Sequence, residues 1–317
     1  MNAFVRNLMG IIILLSAMAA CRATPPVSEV EEAASTPPAV QELQIPAGDV
    51  TLFVRMVGNT ASGNVLIAIN GGPGLTSNYM RSLEALAGPE LAVVTYDQRG
   101  NGRSTSPEMN SANFELADYA ADLEAIREAL GLEQVHLLGH SFGGLVAMAY
   151  AIHYPERARS LVLLGSGPPT WDAILDSFTS FSRRITTLQA DGILPQQLGD
   201  DLAAILPAYF SDPTFTFSSD DPGGAPEQNT AVNELTWQAI AGYDLTADLA
   251  GLRLPVLILY GADDPFGLPM AEASRDALVS ADVTYVLLDQ CGHFWHECPE
   301  AALGEIRPFL DLPNTDQ

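Results

Sequence analysis

The sequence predicts an α/β fold in which a mostly parallel sheet has helices on both faces and an inserted helical lid. Two observations support this prediction. From Leu43 onward, short apolar runs alternate with stretches of helical periodicity, which is the order expected when helices connect parallel strands. Between Pro168 and about Leu249 this alternation stops, over a length too great for an ordinary connecting loop.

Strands are predicted where a short β-branched or leucine-rich run is bounded by glycine, proline or aspartate. Helical periodicity is clear in Leu116–Leu130, which stops at Gly131. These elements assign residues 42–167 and 250–313 to one core. The predicted strands are Val50–Val57, Val65–Ile69, Leu91–Tyr96, Val135–Leu138, Leu161–Leu164, Val256–Tyr260 and Thr284–Leu288.

The interruption, residues 168–249, is predicted to be a helical lid inserted into that core. It contains helical pieces, a loop rich in proline, glycine and aspartate at Ser218–Pro226, and nine aromatic residues. We expect the aromatic side chains to serve partly the packing of the lid and partly a substrate pocket. Packing is the default assignment for any single one of them.

The start of the chain is predicted to be an export signal over residues 1–20, followed by a lipidated cysteine and a flexible tether over residues 21–41. Arg6 supplies the positive charge, and Leu8–Ala20 is a short apolar stretch that ends in small residues. Met18-Ala19-Ala20-Cys21 resembles the lipobox of bacterial lipoproteins, so cleavage before Cys21 would free its thiol for lipidation. We therefore expect a lipoprotein anchored in the bacterial cell envelope. An uncleaved anchor and an ordinary signal peptide are the alternatives.

The charge of the chain excludes several classes of function. The net charge is 14 − 39 = −25, and every basic residue is an arginine. So acidic a surface repels phosphate backbones, which makes nucleic acid a poor partner. Without lysine the chain has neither the phosphate-binding lysine of a P-loop nor an amine for Schiff-base chemistry.

The motif Gly139-His140-Ser141-Phe142-Gly143 fits the Gly-x-Ser-x-Gly nucleophile elbow. It comes directly after the predicted strand Val135–Leu138 and directly before a helical stretch rich in small residues. That context is the one in which an elbow exposes its serine above the end of a sheet. The sequence therefore predicts Ser141 as a nucleophile.

A serine nucleophile needs a base, and the chain has only five histidines. His136 lies in a strand, His140 in the elbow itself and His153 at the end of the following helix. None of these three positions allows the ring to take the proton of the serine. His293 follows a glycine after the last predicted strand and is the predicted base, with His296 in reserve. Asp263 and Asp264 follow the strand Val256–Tyr260, and only one of these carboxylates can orient the base.

Several motifs together resemble the proline iminopeptidase family of α/β-hydrolases. They are Asn70-Gly71-Gly72-Pro73-Gly74, the run Asp97–Ser104, the elbow Gly139–Gly144, Gly261-x-x-Asp264 and Gly292-His293. The resemblance covers the chain from about Leu43 to Leu310, apart from the lid.

The resemblance implies the α/β-hydrolase fold and selects Asp264 over Asp263. It also implies that the backbone N–H groups of Gly72 and Phe142 form an oxyanion hole. The chain departs from the family at Asn70, where histidine is usual, and at Phe142, where tryptophan is frequent.

Aminopeptidases of that family hold the free amine of the substrate with carboxylates of the lid. Glu234 is the predicted partner here, because an aromatic residue three positions on places it in a helical stretch that can face a pocket, whereas Glu227 lies in the Pro/Gly loop. The leading hypothesis is an exported peptidase that cleaves a small N-terminal residue from short peptides. An ester or lactone hydrolase with the same triad and a non-catalytic, ligand-binding lipoprotein are the alternatives.

We expect a small-molecule or short-peptide substrate, no cofactor and no metal. With Cys21 lipidated, Cys291 and Cys298 remain. A disulfide between them would enclose His293 in a small loop, as an exported protein permits. Buried free thiols are the preferred interpretation, because Cys298 and Pro299 look like the entry to the final helix.

Overall fold

The computed structural model describes residues 38–198, 202–218 and 222–312. The predicted export signal, Cys21 and most of the predicted tether lie outside these residues. Within the described ranges, no helix is both long enough and apolar enough to cross a lipid bilayer.

An eight-stranded sheet forms the centre of the fold, in the order β1-β2-β4-β3-β5-β6-β7-β8. Strand β2 is antiparallel to both of its neighbours, and all the other pairs are parallel, which confirms the predicted mostly parallel sheet. The strands are β1 Val40–Ala47, β2 Val50–Val57, β3 Val65–Ile69, β4 Ala92–Tyr96, β5 Val135–His140, β6 Ala158–Leu164, β7 Pro255–Gly261 and β8 Asp282–Leu288.

Strand β1 was not predicted, and it takes over the end of the predicted tether, because Val40 and Gln41 already pair with β2. Most of its side chains are exposed, and only Ile45 and Ala47 are buried. An edge strand of this kind lacks the apolar run by which the other strands were recognised. Its register with β2 comes from the tight turn between Ala47 and Val50.

Eight α-helices and five short 3-10 helices connect and cover the sheet in the described residues. The 3-10 helices are Thr60–Ser62, Asn78–Leu86, Ser111–Asn113, Leu206–Tyr209 and Trp295–Glu297. The α-helices are α1 Leu116–Ala129, α2 Phe142–His153, α3 Trp171–Ala190, α4 Leu202–Ile205, α5 Thr230–Ala239, α6 Thr246–Leu249, α7 Pro269–Ala277 and α8 Pro299–Phe309. Helices α3 to α6 lie between β6 and β7, in the segment predicted to be the lid.

The two faces of the sheet bury two separate apolar clusters. Along β3, Val65, Ile67 and Ile69 pack into the cluster that contains the buried faces of α1, α2 and α7. The alternate residues Leu66 and Ala68 pack into the second cluster, with the 3-10 helix 78–86 and α8. This alternation, with a period of two residues, places helices on both faces of the sheet, as the sequence predicted.

Candidate active site

Ser141 occupies a strained turn at the carboxyl end of β5. Its φ of 54° and ψ of −123° lie outside the regions that residues with a side chain normally adopt. Three backbone hydrogen bonds hold it there. Its N–H donates to Leu164 at 3.2 Å, and its carbonyl accepts from Gly144 and Gly167 at 2.9 Å each. The strain is therefore sustained by backbone contacts rather than by the serine side chain.

The glycines of the elbow are required by close approach. A β-carbon on Gly139 would collide with the backbone of Gly143, and one on Gly143 would collide with the carbonyl of Ile69 on β3. A β-carbon on Gly71 would lie 2.8 Å from the β-carbon of Ser141. The turn, the first residues of α2 and the loop after β3 therefore fit together only without these side chains.

His293 and Asp264 lie together at the ends of β8 and β7. His293 Nδ1 is 2.8 Å from Asp264 Oδ2, and both residues are buried. Asp264 Oδ1 accepts the N–H of Phe266 at 2.9 Å, and the N–H of His293 donates to the carbonyl of Tyr209 at 2.8 Å. With Nδ1 donating to the carboxylate, His293 Nε2 keeps its lone pair, and it has no hydrogen-bond partner among the described residues.

The neighbouring acid is placed differently. Asp263 is exposed, and its Oδ2 accepts the hydroxyl of Ser211 at 2.8 Å. The reserve histidine, His296, bonds through Nε2 to the carbonyl of Tyr79 at 3.1 Å and lies near Ser82 Oγ at 3.2 Å. The structure thus brings Asp264 to His293, as the family resemblance implied, and keeps His296 off the cavity.

Gly72 and Phe142 line one cavity together with Ser141. Phe142 is the first residue of α2, so its N–H has no partner within the helix and lies at the positive end of the helix dipole. Gly72 has a φ of 123°, and a β-carbon there would lie 2.7 Å from the N of Gly74. Both predicted oxyanion donors are therefore backbone groups of residues that line the same cavity as Ser141.

Hydrogen bonds from the side chains of Asn70 and Gln98 hold the loop that carries Gly72. Asn70 Nδ2 donates to the carbonyls of Gly71 at 3.0 Å and Leu75 at 2.7 Å, and Gln98 Nε2 donates to the carbonyl of Asn70 at 2.8 Å. Asn70 thus has a structural role at the position where the proline iminopeptidase family, which the chain resembles, usually has histidine.

Comparison with known proteins gives the family. The profile described as "alpha/beta hydrolase fold" matches residues 64–297, which is most of the chain. The chain belongs to the α/β-hydrolase family. It resembles proline iminopeptidases in particular: that of Lactobacillus delbrueckii subsp. bulgaricus is 29% identical, covering 80% of this chain and 92% of the relative. That of Lactobacillus helveticus is 28% identical, covering 76% and 87%.

Solved structures show the same fold. A proline iminopeptidase-related protein from Thermus thermophilus has a TM-score of 0.67 at 23% identity, covering 86% of this chain and 98% of its own. The proline iminopeptidase of Mycobacterium smegmatis has a TM-score of 0.63 at 21% identity, with the same coverage. At these identities the likeness establishes the α/β-hydrolase architecture.

In this α/β hydrolase, helix α5, which lies in the segment predicted to be the lid, contacts two of the sequence motifs. Asn229 Nδ2 donates to the carbonyl of Gly100 at 2.9 Å, and Asn233 Nδ2 donates to the carbonyl of Pro73 at 2.7 Å. A β-carbon on Gly74 would lie 2.6 Å from the carbonyl oxygen of Asn229. Glycines of the Gly-Gly-Pro-Gly and Asp-Gln-Arg-Gly motifs therefore allow helix α5 to approach the loop that carries Gly72.

The cavity of the hydrolase has a volume of about 350 Å³ and mostly apolar walls. Its polar lining groups are Gln228 and Asn233, the phenol of Tyr209, and the residues of the elbow and His293. Burial raises the pKa of Tyr209 to about 12, so that phenol is neutral. The apolar walls come from Leu75, Phe142, Leu145, Ile174, Phe178, Leu202, Trp237, Phe266, Met270 and Phe294.

Among the described residues, no aspartate or glutamate lines this cavity. Glu234 is exposed on α5, whose neighbouring positions Asn233 and Trp237 face the cavity instead. Glu227 is exposed as well. The structure does not bring the predicted amine partner to the site, because Glu234 is exposed and is not among the residues that line the cavity.

Of the two interpretations of Cys291 and Cys298, the preferred one, free thiols, is wrong. Cys291 and Cys298 form a disulfide, with their Cα atoms 5.8 Å apart. The 3-10 helix Trp295–Glu297 folds the chain back, and the N–H of Cys298 donates to the carbonyl of Trp295 at 2.9 Å. Cys298 does precede α8, as the sequence indicated, but this turn brings it within bonding range of Cys291. The disulfide closes a loop that contains His293.

Proposed function

We propose that the protein is a serine hydrolase that works through an acyl-enzyme, with Ser141 as nucleophile, His293 as base and Asp264 as the residue that orients the base. The observation that carries this proposal is the pairing of His293 with a buried carboxylate through Nδ1, beside a serine in a strained elbow at the same cavity. Such a histidine presents the neutral Nε2 that accepts the proton of a serine.

In the proposed reaction, Ser141 Oγ attacks the acyl carbon of the substrate while its proton passes to His293 Nε2. The oxyanion of the tetrahedral intermediate accepts hydrogen bonds from the N–H groups of Gly72 and Phe142. Collapse breaks the bond to the leaving amine or alcohol, which takes the proton from His293. Water then attacks the acyl-enzyme with the same assistance from His293, which releases the acid and restores Ser141.

The proposed substrates are short peptides with a small apolar N-terminal residue. Two findings support this choice: the proline iminopeptidases that the chain resembles, and a cavity of about 350 Å³ with aromatic walls. Walls of that kind suit a compact apolar side chain or ring, because removing its surface from water is favourable.

An ester or lactone hydrolase is the second candidate, and one specific observation favours it. A charged α-amine in a partly desolvated pocket needs a carboxylate partner, since an unpaired buried charge costs several kcal/mol. No described lining residue supplies one. A neutral acyl group has no such requirement.

The experiment that separates the two candidates is a side-by-side assay of the purified protein on aminoacyl-naphthylamides and short-chain p-nitrophenyl esters. A peptidase releases naphthylamine from substrates with a small N-terminal residue. Turnover of the esters alone would support the second candidate. Failure of a fluorophosphonate probe to label the folded protein would contradict both candidates and favour a ligand-binding lipoprotein.

The variant Glu234→Gln is expected to leave the KM for a peptide amide and for an ester within about twofold of the wild-type values. The reason is that Glu234 is exposed and lies outside the cavity. The measurement is steady-state kinetics on a free peptide, the same peptide acetylated at its N-terminus, and an ester. A KM raised for the free peptide alone would instead restore the amine-binding role that the sequence predicted.

We further propose that the protein is exported and attached to a membrane of the bacterial cell envelope through a lipid on Cys21. The apolar stretch that ends at Ala19-Ala20-Cys21 supports this localisation. The disulfide between Cys291 and Cys298 supports it independently, because disulfides persist in oxidising compartments and are rare in the cytosol.

Replacing Cys21 with serine is expected to abolish lipidation and to release the protein from membranes, because the thiol is the group that takes the lipid. The measurement is labelling with a palmitate analogue, followed by separation of membrane and soluble fractions. A Cys298→Ser variant, which keeps the lipobox, serves as the control and stays in the membrane fraction. A wild-type protein that takes up no label would show that the lipoprotein proposal is wrong.

A further inference from the structure

A chain of buried hydrogen bonds connects Gly71, Tyr79, His140 and His293, and it uses none of the proposed catalytic side chains. The N–H of Gly71 donates to the phenol oxygen of Tyr79 at 2.6 Å, and that oxygen lies 2.8 Å from His140 Nδ1. His140 Nε2 lies 3.0 Å from the carbonyl oxygen of His293. Tyr79 and His140 are each only 1% exposed, so water does not substitute for these bonds.

The direction of each bond follows from the groups at its ends. The carbonyl of His293 can only accept, so His140 Nε2 carries a proton and donates it. Burial, and then the neighbouring His293, hold the pKa of His140 well below its usual value, so His140 is neutral and its Nδ1 is an acceptor. The phenol of Tyr79 accepts from Gly71 and donates to His140. All of the donors and acceptors in the chain are therefore matched.

This chain of hydrogen bonds joins two loops that follow strands far apart in the sheet. Gly71 and Gly72 follow β3, whereas His293 follows β8, and strands β5, β6 and β7 lie between those two in the sheet. The bond from Asp264 orients the imidazole ring of His293 but does not reach the loop after β3. His140, at the end of β5, is hydrogen-bonded to Tyr79 on one side and to the carbonyl of His293 on the other.

We infer that Tyr79 and His140 are positioning residues, which hold the loop of Gly71 and Gly72 and the backbone of His293 at a fixed separation across Ser141. This inference rests on the proposed serine mechanism. An oxyanion donor and a base must both lie within hydrogen-bond reach of the reacting atoms, and a displacement of about 1 Å reduces the rate by about 100-fold. Tyr79 does not line the cavity, and both ring nitrogens of His140 are bonded within the protein, to Tyr79 and to the carbonyl of His293, so both residues act through Gly72 and His293.

The test is Tyr79→Phe, which keeps the ring and removes the hydroxyl that joins Gly71 to His140. The matched control is Tyr96→Phe, because Tyr96 is also fully buried and its hydroxyl has no hydrogen-bond partner among the described residues. Active sites are titrated with a fluorophosphonate, and kcat and KM are measured on a p-nitrophenyl ester per titrated site. Unfolded protein is thereby left out of the comparison.

We expect Tyr79→Phe to lower kcat by about 10- to 100-fold with KM within about twofold, and the control to match the wild type. His140→Gln is the second variant, since glutamine can still donate to the carbonyl of His293 but cannot reach Tyr79. The double variant should lose no more activity than the more affected single variant, because both substitutions break one chain.

A kcat per site for Tyr79→Phe and His140→Gln equal to that of the control would overturn the positioning role and leave the serine mechanism intact. Losses that multiply in the double variant would overturn it too, because they would show two independent packing effects. A wild-type protein that the fluorophosphonate does not label would instead overturn the serine mechanism itself, and the positioning role with it.

Discussion

Replacing Ser141 with alanine is expected to leave a folded protein whose kcat is lower by roughly four to six powers of ten. Alanine retains the β-carbon and removes only the hydroxyl, which is the proposed nucleophile. The turn itself should persist, because the hydrogen bonds that hold it are made by the backbone of Ser141 with Leu164, Gly144 and Gly167. The two effects are separable by measuring kcat and the thermal midpoint on the same preparation.

Ser182→Ala is a suitable control, because Ser182 is exposed on α3 and, among the described residues, its hydroxyl donates only to the carbonyl of Phe178 one turn earlier. It should leave both kcat and the thermal midpoint close to the wild-type values. Near-normal hydrolysis by Ser141→Ala would mean that another group attacks the substrate. A large fall in the thermal midpoint would mean that the hydroxyl supports the elbow, contrary to the contacts seen.

The sheet was predictable because its central strands are buried on both faces and therefore form continuous apolar runs. Strand β5 is buried along its whole length, and the motif that follows it gave the position of the elbow. Strand β1 was missed for the opposite reason, since most of its side chains are in solvent. The spacing of apolar residues identifies strands only where burial selects for it.

The positions of the candidate site residues were predictable where these residues lie in motifs, and unpredictable where contacts join distant segments. Ser141 and Asp264 each follow the end of a strand. The structure places Ser141 at the cavity and Asp264 beside His293, which lines the same cavity. The bonds of Asn229 and Asn233 to the motif loops join positions that are 129 and 160 residues apart, which no local pattern indicates. His140 was set aside because it cannot take the serine proton, and its bonds to Tyr79 and His293 depend on the folded sheet.

The second large effect on kcat is expected at Asp264, the residue proposed to orient His293. Asp264→Asn is expected to lower kcat by about four powers of ten, because an amide at this position donates where the carboxylate accepts. His293 would then carry its proton on Nε2 and present the wrong nitrogen to Ser141. Asp263→Asn is the matched control, since the same change is made one residue away, on an exposed side chain whose partner is Ser211. The control should stay within about twofold of the wild type.

The comparison of these two variants tests the mechanism more specifically than the loss of activity alone. Both remove one negative charge from neighbouring positions, so an effect of the overall field would lower both rates by similar amounts. Asp264 differs from Asp263 in being buried and in its hydrogen bond of 2.8 Å to His293 Nδ1. The measurement is kcat per active site for both variants, with circular dichroism to check the fold. A larger loss for Asp263→Asn would show that the exposed carboxylate supports the base during turnover, and that the buried pair is structural.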